Sequence, residues 1–166
     1  MGSHQACDTP NLTGSVIAAR DIEELEGAVF PWQLDMRQVS KGTMDARIRL
    51  GEVGGILATR EHWSRKVVAA GASPAGFLAL AGSASEKSFK YCGHEIDSRQ
   101  VTCGLDGTDI DFATPQLEDH WVFLIPQELL VDYLGEKTVA ALRGRRALRC
   151  EPNLSSRLLS LANRDV

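Results

Sequence analysis

Hydrophobic and polar positions change period along the chain, and each change marks an element. Between Asp21 and Phe30 the apolar residues Ile22, Leu25 and Val29 recur at helical spacing and share one face. Asp21 is placed to cap this helix and Glu24, three residues on, to complete a capping box, with the acids favouring the helix dipole. Pro31 must end it, since a proline inside a helix removes a donor and clashes with the preceding turn. From Met44 the period drops to two: Met44, Ala46, Ile48 and Leu50 fall on one side and Asp45, Arg47 and Arg49 on the other, the mark of a half-buried strand.

Gly51 to Gly55 supplies turn chemistry, and strand-like runs follow at Ile56 to Trp63, Lys66 to Ala70, Gly76 to Ala81, Lys87 to Tyr91, Gln100 to Cys103 and Thr108 to Phe112. The stretch His120 to Ile125 is apolar on both faces, which suits a strand covered on two sides, and Pro126 terminates it. Gln127 to Leu134 returns to helical spacing, with Gly135 as its C-cap. A last apolar stripe, Leu154, Leu158, Leu159 and Ala162, reads either as a packed terminal helix or as a dimer contact. Short strands about ten residues apart, with helices toward both ends, predict a mainly β fold of the cupin-like jelly-roll or β-barrel type.

A chain of 166 residues with 43% hydrophobic and 24% charged residues is long enough for one domain with its own core. Residues 1–20 are expected to be a disordered or tag-derived leader, and 21–166 the folded domain. The opening lacks a basic start and an apolar core, and no stretch reaches membrane-spanning length, so the expected compartment is the cytoplasm. The net charge of −4 offers no positive field for a phosphate backbone. Cys7, Cys92, Cys103 and Cys150 lack the paired short spacing of zinc sites and read as free thiols.

Catalytic signatures are missing. No Gly-x-Ser-x-Gly elbow, phosphate-cradling loop or His-Glu-x-x-His motif occurs. His62, His94 and His120 are isolated, with no His-x-His pair to announce a metal-binding barrel, so no catalytic residue, metal or cofactor is assigned. Asp109 and Asp111 share a strand face, as an acid and base pair would, and equally as two solvated acids would. The charged residues around Trp63, namely Arg60, Glu61, His62, Arg65 and Lys66, read as a solvated hairpin end or as contacts to a polar ligand group. Arg143, Arg145, Arg146 and Arg149 form the one dense basic group, either an exposed face or a contact at a domain junction. Of the aromatic residues on predicted strands, Trp63, Phe77, Phe89, Tyr91 and Trp121 are candidate walls of a ligand pocket; plain core packing is the other reading.

Three stretches carry a resemblance: Gly93 to Ile96, Leu105 to Pro115 and Trp121 to Pro126. Together with Asp21 to Phe30 and Gly51 to Leu57, they make residues 21–161 resemble the amino-terminal domain of AraC/XylS-type bacterial transcriptional regulators. The resemblance implies a cupin-like domain that binds a small-molecule effector and forms a homodimer. It implies DNA contact only through a pair of helix-turn-helix units that this chain does not contain. Leu154, Leu158 and Leu159 would then lie on the helix through which such regulators pair. The rival of another class is a small metal-dependent cupin enzyme, an isomerase or oxygenase, suggested by the predicted barrel alone.

Overall fold

A computed structural model describes residues 14–150 apart from Glu86. Twelve strands and three helices occur among them. The chain opens with β1 (Ser15–Ala19), α1 (Ile22–Ala28), β2 (Gln33–Gln38), β3 (Ala46–Val53) and β4 (Ile56–Trp63). It continues through β5 (Val67–Ala72), β6 (Phe77–Ser83), β7 (Phe89–Tyr91), β8 (His94–Ile96), β9 (Gln100–Leu105) and β10 (Asp109–Ala113). The last elements are β11 (Glu118–Pro126), α2 (Gln127–Leu134), α3 (Glu136–Ala141) and β12 (Ala147–Arg149).

The strands form two antiparallel sheets, one ordered β1-β3-β4-β11-β6-β9-β12 and the other β2-β5-β10-β7-β8. This is a jelly-roll-like sandwich, mainly β as the periodicity predicts. β11 is central to the larger sheet, paired on one side with β4 and on the other with β6. Its central place is matched by cover on both faces: Val122 looks between the sheets, and Ile125, on the other face, packs against the cluster that contains Leu130 of α2.

Local chemistry accounts for the element ends. Asp21 accepts from the Glu24 amide at 2.8 Å while the Glu24 carboxylate accepts from the Arg20 amide at 2.7 Å, so the capping box closes one residue earlier than its standard form. α1 stops at Ala28, ahead of a cis Phe30–Pro31 bond. β3 and β4 join through Gly54 and Gly55, both at positive φ, the backbone that a two-residue hairpin of matching twist requires. The alternation beginning at Met44 is realised: Met44, Ala46 and Ile48 are buried with Trp63, Val67 and Leu25 in one core cluster. On the outer face of the larger sheet, Leu78, Cys103 and Leu105 pack beneath Leu130 of α2 and Val139 of α3.

One boundary needs correction. Ser15–Ala19, expected within the leader, pair in register with β3 from Ser15↔Leu50 to Ala19↔Ala46, so backbone hydrogen bonding sets the folded part starting before residue 21. Residues 1–13 and the stripe at Leu154, Leu158 and Leu159 lie outside the described residues. Cys92, Cys103 and Cys150 are free thiols. Among the described residues no helix is long and apolar enough to cross a membrane.

Candidate functional site

The two sheets do not meet everywhere. Between them lies a cavity of about 60 Å³. Its apolar wall joins Trp63 of β4 and Val122 of β11 to Phe89 and Tyr91 of β7, Phe112 of β10, and Trp32, which follows α1. Strand alternation puts these side chains inward, since each flanking residue on the same strand faces the other way. Trp63 packs against Phe112 at a ring-centroid distance of 6.2 Å, and the His120 imidazole meets Trp63 edge-on at 4.7 Å.

Polar groups complete the lining: Glu61 of β4, Thr102 of β9, Thr114, and Glu118 and His120 of β11. Register brings the charged ones together, because His120 pairs directly with Glu61 and Glu118 with Trp63 across the β4–β11 ladder. His120 Nε2 lies 3.4 Å from the Glu61 carboxylate, whose other oxygen accepts from the Thr59 hydroxyl at 2.8 Å. Burial works against a charged His120, but the Glu61 hydrogen bond and charge, with Glu118 and Asp119 beyond, outweigh it and hold the imidazole above its ordinary value.

Glu118 differs from Glu61. It is 1% exposed, and neither carboxylate oxygen has a hydrogen-bond partner. Burial pushes its carboxyl up, against the pull of His120, of the Ser83 hydroxyl and, more weakly, of Lys87. The Ser83 hydroxyl beside it is engaged with Ser85, and Lys87 Nζ donates to the carbonyl oxygens of Gln116 and Leu117. His120 Nδ1 and the Trp63 indole N–H are likewise buried without partners. Orphan groups of this kind are rare in a packed interior; four of these atoms lie on this wall, and the Trp121 indole N–H, on the other face of β11, is a further one.

The five aromatic candidates do not share one wall. Trp63, Phe89 and Tyr91 line the cavity, and burial raises the Tyr91 hydroxyl well above its ordinary value. Trp121 faces away from the cavity on β11, edge-on to Phe123 at 5.3 Å and fully buried. Its ring fills the space over Gly82, where an added Cβ would come within 2.4 Å of Trp121 Cζ2. Phe77, at the start of β6, packs beside the cluster of Ala79, Val122 and Leu124. The period-two pattern places Trp121 opposite Val122, but which face looks inward is decided by the second sheet.

The three histidines are also dispersed. His62 faces outward beside Arg47, Arg49, Arg60 and Asp119, His94 is exposed on β8, and His120 is in the cavity. Among the described residues no group of three His, Cys, Asp or Glu side chains is arranged to hold a metal ion. Asp109 and Asp111 are exposed on the outer face of β10. Arg60 is bonded to Asp119 at 2.8 Å, and Arg146 donates to the Asp109 carbonyl at 3.0 Å. Sequence reasoning missed Glu118, Trp32 and Phe112 as wall residues; it offered Glu61 only as one of five charged residues around Trp63 that could contact a polar ligand group, and weighed His120 only as an isolated histidine. The available signal was the alternation Glu118, His120, Val122 beside the alternation Glu61, Trp63, which puts acids and a histidine on the apolar faces of two adjacent strands.

The whole arrangement, two antiparallel sheets around an aromatic cavity with α2 and α3 packed on the larger sheet, is a fold of the jelly-roll kind. It is similar to the crystal structure of the AraC-like transcriptional activator CuxR, with a TM-score of 0.64 at 16% sequence identity over 90% of this chain. The chain spans 59% of the length of that protein. No protein-family model matches the chain, and no curated protein matches it in sequence.

Proposed function

We propose that this chain is the regulatory domain of an AraC-type transcription regulator, which binds a small effector between its sheets and forms a homodimer. The carrying observation is the cavity itself, an aromatic enclosure with orphan polar groups on one wall, in a fold similar to that of an AraC-like activator. Core packing alone favours neither an unfilled space nor unpartnered buried polar atoms, whereas a binding site uses both. Trp63, Phe89 and Tyr91 would contact the ligand. DNA would be bound by helix-turn-helix units outside this chain, in agreement with its net charge of −4. The ligand would act by binding one arrangement of the domain better than another and so biasing the attached DNA reader.

Leu154, Leu158 and Leu159 are assigned to the dimer contact on their helical spacing alone. A thermal-shift screen of small molecules, with sedimentation of the 166-residue chain, tests both halves of the reading. We expect at least one ligand that raises Tm and a dimer that Leu158→Asp dissociates. A chain that is monomeric at high concentration and indifferent to every compound would overturn it.

A further inference from the structure

The charge count in the cavity wall is uneven. Glu61 and His120 form a pair in which one carboxylate meets one imidazole at 3.4 Å. Glu118 stands next to this pair, 1% exposed, with both oxygens unpartnered. The nearby cation, Lys87, is exposed and occupied by two backbone carbonyls, and Asp119 faces the other side of the sheet in its pair with Arg60. Two carboxylates therefore share one cationic side chain within the cavity. Burial favours the protonated form of Glu118, and ionising it in such surroundings requires a positive partner with N–H donors. The rest of the lining supplies the complement for a cation's apolar part, because Phe89, Tyr91 and Phe112 of the facing sheet, with Trp32 and with Trp63 beside Glu118, offer the ring faces on which organic cations rest.

We propose that the cavity recognises a small organic cation, a primary amine on a compact apolar body, with its ammonium group donating to Glu118 and its body held among the aromatic rings. This rests on the reading of the cavity as an effector site and adds to it the chemical class of the effector. The cavity volume of about 60 Å³ sets the size: a short alkyl chain enters with small adjustments of the wall, while a larger body requires Trp32 or Phe112 to turn. A neutral alcohol satisfies Glu118 with one donor and leaves the charge count unchanged. A carboxylate ligand adds a third acid to the same wall.

The test uses the 166-residue chain and three matched series: propylamine, butylamine and benzylamine; the corresponding alcohols; and the corresponding carboxylates. Binding is followed by calorimetry and by the indole N–H resonances of Trp63, in the cavity wall, and Trp121, on the far face of β11. We expect the amines to bind at least tenfold more tightly than the alcohols, to move the Trp63 resonance and to leave that of Trp121 in place. Glu118→Gln should weaken amine binding at least tenfold and leave alcohol binding within twofold. Should that variant not fold, the preference of the wild-type chain for amines over alcohols and carboxylates decides alone. Alcohols or carboxylates that move the Trp63 resonance as well as amines do would overturn the cation proposal and leave the effector cavity standing. If no compound of any series moves it, the cation proposal falls and the effector reading loses its cavity. Amine binding that survives Glu118→Gln in a folded protein also overturns the proposal.

Discussion

Glu118 carries the electrostatics of the cavity, and its behaviour with pH is fixed by the direction of its shift. Burial raises its carboxyl above the ordinary value near 4.5, so the folded chain holds that proton more tightly than the unfolded chain. Its contribution to stability is therefore intact below 4.5 and is lost as pH rises through the higher folded value. His120, raised above its ordinary 6.5, adds a loss of the same sign at higher pH. The other titratable groups facing this wall are Glu61 from β4 and Tyr91 from β7. Within the titration window of Glu118, each pH unit removes about 1.4 kcal/mol of stability. Glu118→Gln abolishes that slope, so variant and wild type should be equally stable below pH 4.5 and diverge in the variant's favour as pH rises above it. Urea unfolding at several pH values checks this, and parallel curves would contradict it. His120→Gln works the other way. It leaves Glu61 and Glu118 without their cation and should cost about 3 to 5 kcal/mol at neutral pH, the cost of breaking a buried ion pair from one side. Adding Glu61→Gln to it should recover part of that loss, and a double-mutant cycle measures how much.

At the scale of elements, β11 is held by close contact as much as by its two ladders. Trp121 packs against Gly82 on β6, and a methyl group there would sit 2.4 Å from the ring. Gly82→Ala should destabilise the fold by about 1 to 3 kcal/mol, the usual range for overpacking, and Trp121→Leu should relieve most of it. A Gly82→Ala variant as stable as wild type in chemical denaturation would show that the ring can move. The same strand shows what a sequence reveals. Long elements with clean periodicity were legible: Ile56–Trp63 and Gln127–Leu134 lie where alternation and helical spacing put them. Among the shorter elements β5, β7, β9 and β10 coincide with strand-like runs, whereas β1, β2, β8, β12 and α3 were not legible. β8 and β12 have three residues each, too few for alternation to register, and α3 has six, under two helical turns. β1 is exposed along four of its five residues, so no apolar stripe advertises it. β2 follows Pro31 closely, with Met36 as its buried residue, and is held mainly by its ladder to β5.

At the scale of the molecule, the cavity was only half legible, because its walls come from positions 29 to 122 and converge only when two sheets face each other. Periodicity places Trp63, Phe89 and Tyr91 on inward faces but is silent on which strands stand across from one another. Glu118 was illegible for the same reason: an acid at the start of an apolar run reads as a solvated strand end until the register sets it beside Trp63. A sandwich built for stability alone would fill this space. Ala81, on the cavity wall in β6, is the position where that is simplest, since its partner across the ladder is Val122 and both face inward. Ala81→Val should stabilise the chain by about 0.5 to 1 kcal/mol, close to the value of one or two buried methyl groups reduced by their imperfect fit. The same substitution should weaken any ligand held between the sheets, because stability and binding draw on one volume. Urea unfolding and calorimetry on one sample separate the two effects: a gain in stability with binding intact would place the ligand elsewhere, and a loss of stability would mean that the wall is already packed to its limit.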